Sequence, residues 1–294
     1  MKDQICIVTG ASSGLGNAAA KLLLQREAIV IMMSRDKKRG EKEFRNFKKN
    51  YGEKVDWIPA DLSSLKSIEK FVESFKQKYH KLNFLFNCAG IILMKRQTTE
   101  DGLEAIFATN YLGHFFLTNL LYEPLKAGSP SRVITVSGRG HKSSLTEGIR
   151  KGTIDFSDLQ GEKHFSFPKA SKQAVLAKII FTYGLSRRWK KAGIEACTVC
   201  PGLTRTHLVS SLPWYVRAYM AVRFFIAQAQ TAEEGASHLI QLAVINENIN
   251  GKYFEASRKG LREASSSDES YDLSLAKKLW KASEELVGRK FDYR

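Results

Sequence analysis

The fold is decided near the start of the chain, where an apolar run leads directly into a glycine-rich turn: Ile5-Cys6-Ile7-Val8-Thr9-Gly10-Ala11-Ser12-Ser13-Gly14-Leu15-Gly16. The β-branched run predicts a buried strand, and the apolar periodicity over residues 14–25 predicts a helix. Glycines permit a tight turn and close backbone approach, and the free N–H groups at a helix start attract a phosphate. Such a turn between a first strand and a first helix predicts a dinucleotide-binding α/β unit.

Strand and helix signals alternate along nearly the whole chain. Six further apolar or β-branched runs are predicted as strands, at residues 28–34, 55–59, 83–87, 132–137, 194–201 and 252–254. Helical periodicity separates them, at residues 41–50, 64–79, 104–121, 172–190 and 232–244. Repeated βα units bury parallel strands on both faces. We therefore predict one doubly wound Rossmann-type α/β domain over residues 1–294, with a central seven-stranded parallel sheet.

Two stretches interrupt this rhythm. Residues 139–170 are rich in Gly, Ser, Lys and His, so we predict a long loop over the carboxyl edge of the sheet. Residues 207–229 are apolar where a solvated loop would be expected, which predicts a lid over a lipophilic pocket. The alternative is a surface helix in peripheral contact with a membrane, with Arg217 and Arg223 as anchors. We assign residues 260–294 to a C-terminal extension.

The composition is ordinary for a soluble protein, but the charge is strongly basic. With 43% hydrophobic and 26% charged residues, the chain is neither disordered nor of low complexity. A formal net charge of +16 favours an anionic partner, such as a phosphorylated cofactor, an acidic membrane surface or nucleic acid. Nucleic acid is disfavoured, because no basic stripe is interleaved with aromatic residues.

The four cysteines are too few for a disulfide framework in a chain of 294 residues. Cys197 and Cys200 have a C-x-x-C spacing, but residues three apart on a strand point to opposite faces, which disfavours a metal site. No cleavable leader signature precedes Ile5, and no stretch of ~20 apolar residues could span a membrane. We therefore expect a reduced, cytoplasmic protein without a metal.

Further motifs follow the glycine-rich turn in order, each beside a later strand or helix: Asp61-Leu62, Asn87-Cys88-Ala89-Gly90, Asn110, and Pro201-Gly202-Leu203-Thr204-Arg205-Thr206. With them, the chain resembles the short-chain dehydrogenase/reductase family. The stretches around Asn110, Asp158-Leu159-Gln160 and Gly251-Lys252-Tyr253-Phe254 are most similar to its retinol-dehydrogenase-like branch.

The resemblance implies a dinucleotide site built from these motifs. The family holds the adenine ring near Asp61-Leu62, and it covers the nicotinamide and diphosphate with the stretch that begins at Pro201. The implied cofactor-binding residues are Gly10, Ser12, Ser13, Gly14, Leu15, Gly16, Ser34, Arg35, Asp61, Leu62, Asn87, Ala89, Gly90, Lys172, Pro201, Gly202, Leu203, Thr204 and Thr206.

The end of the second strand predicts which dinucleotide binds. An acidic residue there would hydrogen-bond the ribose 2′-hydroxyl of NAD. This strand ends instead in Ser34-Arg35, and a guanidinium suits a phosphate. We therefore predict NADP. The basic residues 37–39 that follow either add to this site or form a solvated helix start.

The predicted acid–base residues depart from the family pattern, in which Asn, Ser, Tyr and Lys handle the proton beside the hydride carrier. Asn110 and Lys172 match that pattern. The residue four before Lys172 is Pro168, which has no titratable group, and the catalytic Ser position falls on Gly138. A slip of one residue would restore Ser137 but not the Tyr. His141 is the candidate replacement for the proton donor, against the alternative of a solvated loop histidine.

Two functions fit this pattern. The first is an NADP-dependent oxidoreductase with a Tyr-less site, acting on a lipophilic or activated small molecule such as an iminium, a polarised C=C or a carbonyl. The second is a non-redox catalyst, or an NADP-binding protein without turnover, on the same fold. The helices predicted over residues 104–121 and 172–190 resemble those with which the family forms dimers, which adds a homodimer to the expectations.

Overall fold

The computed structural model describes residues 1–142, 152–205, 213–226 and 229–293. Within them, one sheet has the strand order β3-β2-β1-β4-β5-β6-β7-β8. Its strands are β1 (Ile5–Thr9), β2 (Ile29–Ser34), β3 (Val55–Pro59), β4 (Phe84–Asn87), β5 (Ser131–Val136), β6 (Ile194–Cys200), β7 (Tyr253–Ser257) and β8 (Gly260–Ala264). Because the order reverses between β1 and β4, the crevice of a doubly wound sheet opens there.

The predicted Rossmann-type sheet of seven parallel strands is confirmed, and the sheet has one strand more than predicted. β8 adds an eighth strand, antiparallel to β7, in which Ser257 pairs with Gly260. Gly260 has a φ of +112°, a conformation that favours glycine. The pattern missed β8 because it is a short edge strand with polar residues and little apolar signal.

Helices cover both faces of the sheet. They are α1 (Gly14–Leu24), α2 (Lys37–Tyr51), α3 (Leu65–Lys78), α4 (Ala105–Phe107), α5 (Gly113–Leu120), α6 (Tyr122–Ala127), α7 (Phe167–Arg188), α8 (Trp214–Ile226), α9 (Ala232–Val244) and α10 (Leu273–Leu286). One apolar core lies between the sheet and α1 and α9. The other lies between the sheet and α3, α5, α7 and α10.

Two predicted helices differ in detail from the structure. The helix predicted over residues 104–121 is interrupted, because a π-helical turn, Ala108–Leu112, lies between α4 and α5. The predicted loop over residues 139–170 ends earlier than expected, since α7 begins at Phe167. Ser166 caps that helix by accepting the N–H of Lys169, and Pro168 occupies its first turn, where proline is tolerated.

The C-terminal segment, residues 268–293, packs on α5 and α7. The Tyr111 hydroxyl lies 2.7 Å from the Ser283 hydroxyl, and the Phe115 ring lies 5.1 Å from the Trp280 ring. Tyr293 packs on Tyr122 with ring centroids 4.5 Å apart. Residues 268–293 therefore cover part of the helices expected to form a homodimer.

The predicted lid over residues 207–229 is described in part, as α8 and its flanks. Trp214 and Tyr215 at its start are exposed. Residues 206–212 and 227–228 lie outside the described residues. No helix in the described part of the chain is both long and apolar enough to cross a membrane.

Candidate active site

The glycine-rich turn packs closely against the end of β4. Gly10 has a φ of +70°, and a Cβ there would lie 3.0 Å from the Cα of Ala89. A Cβ on Gly16 would lie 2.6 Å from the Gly10 carbonyl oxygen. Larger residues therefore do not fit at either position.

The start of α1 suits an anion. Ser13 is the N-cap, yet its side chain makes no capping hydrogen bond, and the first turn has no acidic residue. Leu15 is buried in the core and anchors this turn, while Ser12 is half-buried. The first N–H groups of α1 therefore lack a side-chain acceptor, and a diphosphate would satisfy them.

A buried threonine joins the first turn to the second. The Thr9 hydroxyl accepts hydrogen bonds from the N–H groups of Cys88 and Ala89, at 2.9 and 3.0 Å. His114 Nε2 lies 3.2 Å from the same oxygen, and its Nδ1 faces the Asn110 carbonyl. Burial and the nearby Lys178 charge lower the pKa of His114 to about 3, so this ring is neutral.

Asn110 braces the turn that contains Gly90. Its Oδ1 accepts the N–H of Ile91 at 2.7 Å, and its Nδ2 donates to the Ile91 carbonyl at 3.0 Å. Asn87 lies below this turn and is fully buried. Its Nδ2 donates to Thr118, whereas its Oδ1 has no partner among the described residues.

At the adenosine end, Arg35 and Asp61 face each other across the ends of β2 and β3. The Arg35 Nε lies 3.8 Å from Asp61 Oδ2, and the Arg35 side chain is 60% exposed. Ser34 points the other way, because its buried hydroxyl accepts the Trp57 Nε1–H at 3.0 Å. Leu62 is buried in the core below. The Arg35 guanidinium is thus available to a phosphate, whereas the Ser34 hydroxyl is buried and already accepts a hydrogen bond.

The turn after β6 is fixed by a glutamine that the sequence analysis missed. Gln230 Nε2 donates to the Pro201 carbonyl at 3.1 Å, and its N–H donates to the Leu203 carbonyl at 2.8 Å. Gly202 has a φ of +72°, and a Cβ there would lie 2.6 Å from the Ala256 carbonyl oxygen. Thr204 donates to the Pro201 carbonyl. Thr206 lies outside the described residues.

At the predicted acid–base positions, the structure brings Gly138 beside Val175. A Cβ on Gly138 would lie 3.8 Å from Val175 Cγ2, and the Ser137 hydroxyl donates to the Val175 carbonyl at 3.1 Å. Lys172 lies on α7 and faces Gly140, farther along the loop after β5, with its Cγ 3.2 Å from where a Cβ on Gly140 would lie. Pro168 is exposed.

His141 is buried rather than solvated. Its Nδ1 accepts the N–H of Ser267 at 3.1 Å, and its ring packs edge-on against Tyr253. Burial and the Lys142 charge lower the pKa of His141 to about 4, which leaves it neutral at pH 7. These contacts come from β7 and from the residue directly before the C-terminal segment, and the proton-donor role of His141 stays a prediction.

Known proteins resemble this chain in both sequence and fold. A family model for short chain dehydrogenase matches residues 4–148. Retinol dehydrogenase 13 of Mus musculus is 36% identical over 96% of this chain and 83% of its own length. The chain belongs to the short-chain dehydrogenase family. Retinol dehydrogenase 11 of Homo sapiens is 33% identical over 99% of this chain and 88% of its own length, which confirms the predicted retinol-dehydrogenase-like branch.

Solved structures of short-chain dehydrogenases and similar proteins confirm the predicted Rossmann-type fold. An uncharacterized protein from Mycobacterium paratuberculosis is 29% identical, with a TM-score of 0.78 over 99% of this chain and 96% of that one. A short chain dehydrogenase from Burkholderia cenocepacia, solved in complex with NADP, is 20% identical, with a TM-score of 0.68 over 86% of this chain and 96% of that one.

Sequence reasoning also missed Lys178, a buried lysine that the family pattern does not include. Its Nζ donates to the Val136 carbonyl at 3.0 Å. Burial lowers the pKa of Lys178 to about 8, against the opposing effect of Cys88. The signal was present, since Lys178 is the one charged residue in the apolar run from 174 to 181.

Proposed function

We propose that this protein is an NADP(H)-dependent oxidoreductase acting on a lipophilic small molecule, with acid–base groups that depart from the family pattern. The observation that carries this proposal is the uncapped start of α1 beside the closely packed Gly10 turn. A dinucleotide diphosphate is the anion that such a turn receives in a doubly wound sheet. The bound cofactor would supply or accept the hydride.

Each part of the proposed cofactor site has residues of suitable chemistry. The first turn of α1 would hold the diphosphate, and Asp61 with Leu62 would border the adenine. Arg35 would contact a 2′-phosphate, because its guanidinium is exposed and has no acid closer than 3.8 Å among the described residues. The turn at Pro201–Thr204 would cover the nicotinamide.

The names of relatives and neighbours support the substrate and cofactor classes. The similar retinol dehydrogenases are named for a lipophilic alcohol. The Burkholderia cenocepacia structure and a Pseudomonas aeruginosa RhlG structure were each solved with NADP. The exposed apolar residues of α8 would suit the approach of an apolar molecule.

The residues around Gly138 favour activated substrates. Reduction of a simple carbonyl forms an alkoxide, which needs a proton donor. Gly138 and Val175 offer no hydroxyl there, and the Ser137 hydroxyl is bonded to the α7 backbone. Reduction of an iminium or a polarised C=C neutralises or delocalises charge and needs less help from an acid.

Calorimetry with NADPH and NADH tests the cofactor assignment. One charge-assisted contact contributes ~1.5–3 kcal/mol, so we expect NADPH to bind at least ~10-fold more tightly than NADH. Arg35→Ala should remove most of this preference without weakening NADH. The matched control is Arg45→Ala, because Arg45 lies on α2 and pairs with Glu41. Equal affinities of the unmodified protein for both dinucleotides would refute the NADP assignment.

The second candidate is an NADP-binding protein without turnover, or a non-redox catalyst. It is favoured by Gly138 together with the exposed Pro168, since neither position offers a proton donor. Steady-state NADPH consumption with aldehydes, enones and cyclic iminium ions separates the two candidates. Tight NADPH binding with no consumption on any of the three classes would favour the second.

A further inference from the structure

Lys178 lies where the carboxyl ends of two neighbouring strands meet. Its Nζ is bonded to the carbonyl of Val136, the last residue of β5. Its charge also acts on Cys88, the residue that directly follows β4. β4 and β5 are paired neighbours. In open α/β sheets, ligands bind outside the carboxyl ends of the strands, so this amine lies below the edge that receives them.

The charge of Lys178 is not compensated by an acid. The residue is only 8% exposed, and none of the ion pairs among the described residues includes it. Cys88 and His114 are the described titratable groups whose charges interact with it, and both are neutral near pH 8. Burial raises the pKa of Cys88 to about 12 and lowers that of His114 to about 3.

The surroundings of Lys178 connect it to the ligand side of the edge. Cys88 is only half-buried, so the turn around it reaches the surface of the edge. Asn87, the last residue of β4, keeps a buried Oδ1 without a partner among the described residues. A buried cation without a counter-ion is costly. An electrostatic role toward a ligand at this edge would explain why a lysine occupies the position.

We propose that Lys178 makes the site discriminate between the two redox states of nicotinamide, favouring the neutral reduced ring over the positively charged oxidised ring. This inference rests on the proposed function. Both dinucleotides carry the same phosphates, so contacts such as that of Arg35 cancel when NADPH and NADP⁺ are compared. What differs is the ring charge, which the protonated amine repels.

The expected preference follows from Coulomb's law. For two unit charges about 8–12 Å apart at an effective dielectric constant of ~20, it corresponds to a ratio of dissociation constants on the order of 10-fold to 30-fold in favour of NADPH. The preference should hold at pH 7, where the amine is protonated. It should disappear as the pH rises through the pKa of Lys178, about 8, because the neutral amine no longer repels the oxidised ring.

Linkage adds a readout that does not depend on turnover. A ligand that binds the neutral amine better must displace its proton. Binding of NADP⁺ near pH 8 should therefore release a fraction of a proton, whereas binding of NADPH should not. Calorimetry in two buffers with different ionisation enthalpies measures that release directly.

The test compares NADPH and NADP⁺ binding between pH 6.5 and 9.5. Lys178→Met should bring the affinity ratio near one at every pH and abolish the proton release. Lys169→Met is the matched control, since Lys169 lies on the same helix but pairs with Asp155. It should behave like the unmodified protein. If Lys178→Met does not fold, as judged by circular dichroism, Lys178→Gln keeps a donor for the Val136 carbonyl without the charge.

The outcomes separate this inference from the proposed function. If the unmodified protein binds neither dinucleotide, the proposed function fails, and the inference fails with it. If both bind but their affinity ratio changes neither with pH nor in Lys178→Gln, the inference is overturned while NADP(H) binding stands. A pH-dependent ratio that survives in both Lys178 variants would also overturn it.

Discussion

Trp280 anchors the C-terminal segment on the helices below it, and its replacement by alanine tests how strongly that segment is held. The indole is 7% exposed. It packs at 5.1 Å from the Phe115 ring and 5.9 Å from the Phe181 ring. The Arg188 guanidinium lies 3.9 Å from its centroid, and its Nε1–H donates to Glu284 at 3.0 Å.

These contacts set the size of the effect. Truncation of a buried Trp to Ala typically costs ~3–5 kcal/mol, and each aromatic pair contributes ~0.5–1.5 kcal/mol of that beyond its buried area. Because the segment lies at the chain terminus, it can detach without unfolding the sheet. Detachment limits the loss, so we expect Trp280→Ala to lower the free energy of unfolding by about 3 kcal/mol.

Urea denaturation of the two proteins measures this difference. The matched control is Trp214→Ala, because Trp214 is 78% exposed on α8 and should change stability by no more than ~0.5 kcal/mol. A loss below ~1 kcal/mol in Trp280→Ala, with the denaturant dependence unchanged, would refute the docking described above.

Two further predictions concern the surface. We expect the unmodified protein to be a monomer of 33.1 kDa in light scattering, because residues 268–293 cover part of α5 and α7; a stable dimer of the unmodified protein would contradict this. We expect weak flotation with anionic vesicles at low salt through α8, where Trp214, Tyr215 and Val222 are exposed beside Arg217. Trp214→Asp with Val222→Asp should abolish flotation, whereas Tyr271→Asp, an exposed aromatic outside α8, should not.

The sheet was predictable because its strands are buried on both faces. Such strands read as continuous apolar runs, and the bounds of the fully buried β1 came within a residue of those predicted from residues 4–9. The C-terminal segment was not predictable in the same way. Its position depends on contacts of Trp280 with the Phe115 and Phe181 rings, which lie 165 and 99 residues earlier in the chain and which no local pattern encodes.

The motifs of the candidate site were predictable from the sequence, but the residues that hydrogen-bond to its backbone from distant elements were not. The glycine turn and Asn110 follow from motif spacing. Gln230 and Lys178 act on backbone carbonyls from distant elements, so no motif marks them. A charged residue alone in an apolar helix is still a usable signal, because burial of a lysine requires a physical reason.

The last prediction concerns which residues of α7 face the hydride-transfer position. On a helix, residues four apart share a face. The family spacing of four residues between the Tyr and the Lys relates Pro168 to Lys172, and it also relates Ser171 to Val175, the residue that lies beside Gly138. The structure sets Val175 against Gly138, while Lys172 lies against Gly140 and Pro168 is exposed.

Two variants, each of which completes a Ser, Tyr and Lys set at one of these pairs, decide between them. Gly138→Ser is tolerated in both, because Gly138 has an extended backbone and a Cβ there meets nothing closer than 3.8 Å. Combined with Ser171→Tyr and Val175→Lys, it should raise reduction of a simple aldehyde by ~10²-fold or more, the usual contribution of positioned acid–base groups. Combined with Pro168→Tyr, it should gain less than ~10-fold, since that side chain starts from the solvent side of the helix. NADPH binding by both variants is the control for folding. The opposite ranking would mean that the helix turns in the complex to bring Lys172 inward, and that the proton-handling positions are Pro168 and Lys172, as the sequence pattern predicts.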